Sequence, residues 1–437
     1  MRMSGKVSNT LVGVFFLCFL FLISNNSFGQ SDFQGAQHPV SFSGEPVDYD
    51  NRKSDGPVRR LMKRLEEGTS KLHYDEQWGW LPSLLKELDI PISSQMLLFS
   101  KTSLQRNHIA PDNPRSLYFN DDVYIGWIPG APVMEVSEVD PNRGAVFYDL
   151  DLVSRDKPIF HENSQCLTCH AAARSLGVPG HVVRSVGTDL AGEPMLITAA
   201  SEVNHRTPIS ERWGGWYVTG NSGKQIHRGN RVGEKAWETR TEDPNHLGNR
   251  RSIDDLVNLN GYLTKKSDIV ALMVHDHQTH MHNLITRVSF ETQIMMHRYG
   301  HIRYLRNQVN AFLRYLLMTE EAELEDQVVG DSGYAEWFQK QGPSDGTGRS
   351  LRELDLKRRL FKYPCSFLIY SESFDAIPDV MRKHLLQRIH DILRGKDDSE
   401  MFQTISPRLK QEVLEILVAT KSNLPAYWYP EKIESSE

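Results

Sequence analysis

Two cysteines and a histidine stand at Cys166, Cys169 and His170, with Leu167 and Thr168 between the cysteines. The order C-x-x-C-H suits covalent haem attachment, because each thiol can add across a haem vinyl group and the short spacing lets both sulfurs reach one porphyrin edge. The histidine that follows can ligate the iron from the proximal side. The motif therefore predicts one haem c, attached through Cys166 and Cys169 and ligated by His170.

Two other kinds of site use similar cysteine spacing. A structural zinc site needs a second pair of Cys or His ligands at compact spacing. The chain has no second C-x-x-C, and its nearest histidine-rich run begins only at His275. A redox dithiol is expected in a βαβ setting and does not need the trailing histidine. Covalent haem is the favoured interpretation, with zinc and a redox dithiol as alternatives.

The N-terminus has the layout of a secretory signal peptide. Arg2 and Lys6 precede an apolar run over Leu11–Ile23, and Ser27–Gly29 offers small residues for a cleavage site. The run is shorter than the about 20 residues that a membrane-spanning helix needs. We therefore predict a signal peptide over residues 1–29 and a periplasmic or otherwise exported protein without a membrane span, an uncleaved anchor being the alternative. Covalent haem is attached after export, so the two predictions agree.

Composition excludes some classes of protein. The 437 residues contain 24% charged side chains and a net charge of -6, which argues against a nucleic-acid partner. After signal cleavage three cysteines would remain, and haem would occupy two of them. Cys365 would then stand alone, so we expect no intramolecular disulfide and predict a buried, inert thiol at this position.

Changes in hydrophobic periodicity divide the chain into regions. Residues 30–57 are polar and predict a flexible linker. Residues 58–260 begin with helical patterns and continue with strand-like segments, including two hairpins over residues 117–127 and 133–150. Residues 261–430 are mostly helical, and Ser267-Asp268 supplies the cap of a long helix. These patterns predict an α+β fold in which a β-rich, haem-bearing middle region packs with a mostly α-helical C-terminal half.

The long helix carries four histidines between residues 275 and 282. Helical spacing places His277 in the centre of an apolar stripe, where a bare imidazole is costly and needs a partner. Iron is one such partner, and His277 is the predicted distal ligand. A hydrogen-bonded core histidine is the plain alternative, and an open sixth position is another. Other candidate distal ligands are His181, Met195, His205 and His280.

Residues 212–220 form an aromatic and glycine-rich segment around Trp213-Gly214-Gly215-Trp216. Its rings could pack on a porphyrin, and Arg212 or Arg184 could pair with a haem propionate. An ordinary aromatic strand pair in a protein core has the same composition. The segment therefore leaves both interpretations open.

With these motifs the chain resembles a family of large exported bacterial proteins described as containing a cytochrome c domain, of otherwise unassigned function. The shared stretches are residues 117–127 (LYFNDDVYIGW), 144–150 (GAVFYDL), 166–170, 177–180 (GVPG), 212–220, 282–287 (HNLITR) and 361–370 (FKYPCSFLIY). The resemblance covers roughly residues 60 to 428. It implies haem c on Cys166, Cys169 and His170, and it transfers no activity. Small class I cytochromes differ, because they place a distal Met in a loop before the last helix.

Three functions are compatible with one haem. The first is electron transfer with an unidentified redox partner protein, and it is the favoured one. The second is a haem-dependent, peroxidase-like oxidoreductase, which needs an open iron position and an acid/base residue. The third is a gas or redox sensor. The chain is about four times longer than a minimal carrier, so the additional residues would form a docking surface or a substrate pocket.

Overall fold

The computed structural model describes residues 40–195, 201–238 and 249–429. The predicted signal peptide and residues 30–39 of the predicted linker lie outside these ranges. Within them the fold is α+β, with a seven-stranded antiparallel sheet and a helical C-terminal half, as the sequence predicts.

The sheet has the strand order β6-β5-β4-β3-β2-β1-β9, and a separate ribbon pairs β7 with β8. The strands are β1 (Met96–Leu98), β2 (Arg115–Phe119), β3 (Val123–Trp127), β4 (Val133–Asp140), β5 (Gly144–Asp151), β6 (Phe160–Glu162), β7 (Arg184–Ser185), β8 (Ser201–Glu202) and β9 (Trp216–Tyr217).

Both predicted hairpins are present, as β2–β3 and β4–β5. The turn of the second hairpin is organised by Asp140, whose Oδ1 accepts hydrogen bonds from the backbone N–H groups of Asn142 and Arg143, at 2.8 Å each. Gly144 ends the turn at φ +71°, a left-handed conformation that costs glycine little. The local turn chemistry thus sets the register of the two longest strands.

Helices precede the sheet and dominate the chain after it. They are α1 (Pro57–Glu67), α2 (Leu81–Glu87), α3 (Leu167–His170), α4 (Glu234–Glu238), α5 (Ile269–Tyr299), α6 (Arg306–Leu316), α7 (Tyr334–Gln339), α8 (Glu372–Asp375), α9 (Asp379–Leu393) and α10 (Pro407–Thr420).

Both faces of the sheet are buried. In β2, the side chain of Tyr118 joins a core that α1 and α2 complete, whereas Leu117 and Phe119 join a second core on the opposite face. This second core is the larger one and continues through α5 to α6, α9 and α10. It therefore contains residues from both sides of the boundary that the sequence suggests near residue 260.

The long helix α5 lies in the middle of this larger core. Its N-cap is Asp268, whose Oδ1 accepts from the N–H groups of Val270 and Ala271, and Gly300 ends it in a left-handed conformation. Every residue from Ile269 to Thr292 except His280 is buried. The sequence predicts one buried apolar stripe on α5, but burial extends around the helix. The sheet covers one side of α5, and the C-terminal helices cover the other.

Residues 40–56, part of the predicted linker, have fixed packing partners. Val47 is fully buried, and the hydroxyl of Tyr49 donates to the carbonyl of Ala145 at 2.8 Å. The backbone N–H of Val40 donates to the carbonyl of Gly177 at 3.0 Å. A few well-placed apolar side chains hold a segment whose overall composition is polar.

Two C-terminal elements differ from the sequence-based expectation. Helical periodicity predicts a helix from His301 to about Leu324, but the observed helix is shorter and spans Arg306–Leu316. The Gly, Ser and Asp content of residues 330–348 predicts an exposed loop, but this stretch contains α7, which buries Tyr334 and Phe338. Because Gly, Ser and Asp residues flank this short helix, the composition of the stretch does not indicate it. The two aromatic rings lie four positions apart and therefore form one buried face.

Among the described residues, no helix combines the length and apolar character needed to cross a membrane.

Candidate haem-binding site

The C-x-x-C-H motif lies where a short 3₁₀ turn over Ser164–Cys166 runs into α3. Asn163 precedes it, and its Oδ1 accepts from the backbone N–H of Gln165 at 3.0 Å. The Nδ2 of the same side chain donates to Asp149 Oδ2 on β5 at 2.6 Å. One asparagine therefore both begins the turn and ties the motif to the sheet.

The two thiols of the motif are reachable. Cys169 is exposed, Cys166 is half-buried, and neither forms a disulfide. Burial, together with the carboxylates of Asp149 and Glu135, raises the pKa of Cys166 to about 12, so this thiol is neutral at pH 7. Two neighbouring thiols, one exposed and one half-buried, fit the requirement for two thioether bonds.

His170 is held at one ring nitrogen. Its Nδ1 lies 2.9 Å from the carbonyl oxygen of Gly180, and the Gly180 N–H donates to the His170 carbonyl at 2.8 Å. No described residue forms a hydrogen bond with Nε2. Burial lowers the pKa of His170, which keeps the imidazole neutral at pH 7. A neutral imidazole with Nδ1–H bonded to a backbone carbonyl and Nε2 free is the form in which histidine ligates a metal.

The rings around His170 come from the sheet and from the following segment. Phe147 of β5 lies 4.8 Å from the His170 ring, centroid to centroid, and His181 lies 6.3 Å away. The His181 Nε2 is 2.9 Å from Ser137 Oγ, and its Nδ1 is buried without a hydrogen-bond partner in the described chain. His181, one of the candidate distal ligands, is thus next to His170.

Two arginines lie beside the motif. Arg174 pairs at 3.9 Å with Glu202 in a half-exposed contact. Burial, together with the charge of the nearby Arg174, lowers the pKa of Arg184, and the Nε of Arg184 is buried without a partner among the described residues. Arg184 and Arg174 fit a carboxylate such as a haem propionate. Pairing of Arg184 with a haem propionate stays a prediction.

Arg212 is placed elsewhere. Its guanidinium is buried and donates to the carbonyls of Thr207 and His205 at 2.7 and 3.0 Å, and it lies 3.5 Å from Asp276 of α5. Because these partners already satisfy its charge and donors, Arg212 stabilises the core and is not directed towards the motif.

The Trp-Gly-Gly-Trp segment is also part of the core. Trp213 Nε1 donates to Asp276 Oδ2 at 3.0 Å, and Trp216 Nε1 donates to the carbonyl of Arg184 at 2.9 Å. At Gly214 and Gly215 a Cβ would collide with Trp237 and Ser100, respectively. The glycines therefore allow close packing of protein against protein, which is the alternative that the sequence left open.

His277 is fully buried, and both of its ring nitrogens have partners. Nδ1 lies 2.8 Å from His205 Nδ1, and Nε2 lies 2.8 Å from Ser366 Oγ. Its ring neighbours include Tyr315 and Phe361, and none of the rings in contact with His277 contacts His170. The structure thus does not bring the predicted distal ligand to the predicted proximal one, and ligation by His277 stays a prediction that requires one of these two contacts to break.

The remaining candidates, His205, His280 and Met195, lie in three different places. His205 is bonded to His277, as described above. His280 lines a narrow pocket together with Arg174, His181 and Glu202. The backbone N–H of Met195 donates to the carbonyl of Gly187, two positions after β7, at 2.9 Å. Within the described ranges, no group of three or more His, Cys, Asp or Glu side chains is arranged to hold a metal ion.

Sequence reasoning missed the acceptor of His170. The acceptor is the backbone carbonyl of Gly180, and because every residue has such a carbonyl, residue type does not identify this one. The proline and glycines of residues 177–180 signal a fixed turn, but only the folded chain shows that this turn returns to the histidine of the motif.

Comparison of the chain with protein-family models, with curated proteins and with solved structures gives no match.

Proposed function

We propose that this chain is a monohaem c-type cytochrome that transfers electrons outside the cytoplasm. Cys166 and Cys169 would hold the haem, and His170 would be its proximal ligand. One observation carries the proposal: the bond between His170 Nδ1 and the Gly180 carbonyl leaves a neutral imidazole whose Nε2 has no hydrogen-bond partner in the described part of the chain, beside two reachable thiols.

The described residues would each contribute to the site in a different way. When bound, haem c supplies a one-electron couple whose potential the protein adjusts through ligands, burial and charge. Cys166 and Cys169 would anchor it, and His170 would donate through Nε2. Arg174 and Arg184 would offer positive charge to carboxylates at the surface.

Exposure of the motif favours electron transfer. Cys169 is exposed at its end of α3, so a group attached there would be accessible to a partner protein. Electron exchange requires close approach and no substrate cavity. The redox partner itself is a separate protein, whose docking surface would lie around α3.

One feature favours a second candidate function, a haem-dependent oxidoreductase or gas sensor. The narrow pocket beside the motif is lined by His280, which burial keeps neutral by lowering its pKa to about 3, and by Arg174, which could stabilise negative charge. A small molecule could use such side chains if the sixth iron position were open. This alternative predicts rapid carbon monoxide binding by the reduced protein.

The proposal is tested by expressing the chain with its N-terminus in a bacterium that has haem c attachment machinery. We expect the exported protein to begin after Gly29 and to keep haem under denaturing conditions. Cys365→Ser is the matched control and should keep the haem, whereas Cys166→Ser together with Cys169→Ser should lose it. A wild-type protein without covalent haem would refute the proposal.

Carbon monoxide then separates the two functions. A reduced spectrum that does not respond to carbon monoxide means two firm axial ligands and supports electron transfer. Rapid formation of a carbon monoxide complex supports the oxidoreductase or sensor, and peroxide turnover distinguishes between those two.

A further inference from the structure

A side chain of α5, 113 positions after the motif histidine, contacts the turn that holds it. The amide of Asn283 bridges the backbone of His181: its Oδ1 accepts from the His181 N–H at 3.0 Å, and its Nδ2 donates to the His181 carbonyl at 2.7 Å. Asn283 is 1% exposed, so water does not compete for these bonds. The first bond holds the N–H of the peptide group that joins Gly180 to His181, and the second holds the carbonyl of the next peptide group.

The peptide group that joins Gly180 to His181 carries the acceptor of His170. The carbonyl oxygen of Gly180 is bonded to His170 Nδ1, and the N–H of the same peptide belongs to His181 and is bonded to Asn283. Rotation of this peptide plane would move both groups together, because a peptide is rigid and planar. Asn283 therefore acts on the imidazole through one peptide unit.

Close packing adds to the hydrogen bonds. A Cβ at Gly180 would overlap Oδ1 of Asn283, so the amide lies directly against the Gly180 backbone. The glycine is needed here because of this approach from α5.

Other contacts hold the rest of the turn. Arg287 Nη1 donates to the Leu176 carbonyl at 2.7 Å, and the Ala145 N–H donates to the Pro179 carbonyl at 3.1 Å. Loss of the Asn283 bonds would therefore leave the segment in place and free only the peptide groups on the two sides of His181. We therefore expect replacement of Asn283 to change the hydrogen bond of His170 without unfolding the protein.

We infer that Asn283 is a positioning residue for the iron-ligating histidine: it aims the Gly180 carbonyl at His170 Nδ1 and thereby sets the donor strength of Nε2. The inference rests on the proposed function. A hydrogen bond at the second ring nitrogen fixes the tautomer of a ligating histidine and raises its basicity. A more basic ligand favours ferric over ferrous iron, so a weaker bond raises the reduction potential.

The test compares Asn283→Ala and Asn283→Leu with wild-type holoprotein. Both variants remove the two bonds, and leucine does so without leaving a large cavity. Gln278→Ala is the matched control, since Gln278 is an equally buried amide on α5 that donates to the Asn120 carbonyl and to Tyr124 Oη instead. The readouts are the reduction potential and the hydrogen-exchange rate of His170 Nδ1–H, followed by NMR in the low-spin ferrous state.

We expect a higher potential and faster Nδ1–H exchange in both Asn283 variants, with both values unchanged in Gln278→Ala. A folded Asn283 variant with the wild-type potential and exchange rate would overturn the inference, and so would an equal shift in Gln278→Ala. A wild-type chain without haem would refute the proposed function instead, so the two failures are distinguishable.

Discussion

His170 and Gly180 are joined by a reciprocal pair of hydrogen bonds: the ring Nδ1 of His170 lies 2.9 Å from the Gly180 carbonyl, and the Gly180 N–H donates to the His170 carbonyl at 2.8 Å. The pair closes an 11-residue loop (170 to 180) around the C-terminal end of the motif. It determines which ring nitrogen is free, and it places that nitrogen on the side away from the turn.

The first prediction concerns the space at Gly180. Gly180→Ala should destabilise the fold by about 1–3 kcal/mol, because the new Cβ overlaps the Asn283 amide and forces the turn away from α5. Denaturant unfolding of the protein measures the change. Gly346→Ala is the control, since nothing lies within 4 Å of its Cβ position and we expect a change within about 0.5 kcal/mol. Equal stability of the Gly180 variant and wild type would show that the turn adjusts freely.

The second prediction separates two roles of His277. If His277 were an axial ligand, its replacement would convert a six-coordinate haem spectrum into a five-coordinate one. Since both ring nitrogens are bonded to His205 and Ser366, we expect His277→Ala to leave the haem spectrum unchanged and to lower stability by about 2–4 kcal/mol. The exposed His73→Ala should change neither quantity. A five-coordinate spectrum in a folded His277 variant would establish ligation.

The third prediction concerns pH. Burial lowers the pKa of His275 to about 3, with a smaller contribution from Arg115. Below about pH 6.5 the unfolded chain therefore binds a proton that the folded chain does not, so this group lowers stability as pH falls. We expect the loss of stability between pH 7.5 and 5 to be smaller in His275→Gln than in wild type, by about 1–2 kcal/mol.

Comparing the two proteins removes the contribution of other buried groups. Asp276, whose pKa burial raises to about 7, has the opposite pH dependence but is present in both chains. Denaturant unfolding at the two pH values provides the measurement. Parallel stability curves for the variant and wild type would contradict the assignment of a neutral, buried His275.

The fourth prediction concerns the single thiol outside the motif. Cys365 is fully buried, and burial raises its pKa to about 12, so almost no thiolate forms at pH 8. In a chain that begins at residue 30 and carries Cys166→Ser and Cys169→Ser, Cys365 is the remaining cysteine. A thiol reagent should fail to modify it in the folded protein and modify it fully in denaturant. Rapid modification of the folded protein would contradict its burial.

The motif could be predicted from sequence because its chemistry depends on residue type and short spacing. The hairpins of β2–β5 and the start of α5 at Asp268 could be predicted for a similar reason, since turns and caps are determined by residues within a few positions of each other. The α+β class follows from the same local signals.

The partners and the burial of the α5 histidines could not be predicted from local sequence. Helical periodicity identifies His277 as a residue on an apolar stripe, but iron, His205 and Ser366 would all satisfy a buried imidazole. The partner comes from segments 72 and 89 positions away, and only the packing of those segments on α5 selects it. Periodicity also could not show that His275 and His282 are buried as well, because burial on every side depends on which elements surround the helix.

Residue identity by itself determined the candidate attachment chemistry at Cys166, Cys169 and His170, the secondary structure near them and the α+β class. Tertiary structure alone decided that Gly180 supplies the acceptor for His170, that Asn283 holds the peptide of this acceptor, and that the Trp-Gly-Gly-Trp segment belongs to the core. The physical reason is that a backbone carbonyl carries no residue-type signal, and its direction depends on long-range contacts.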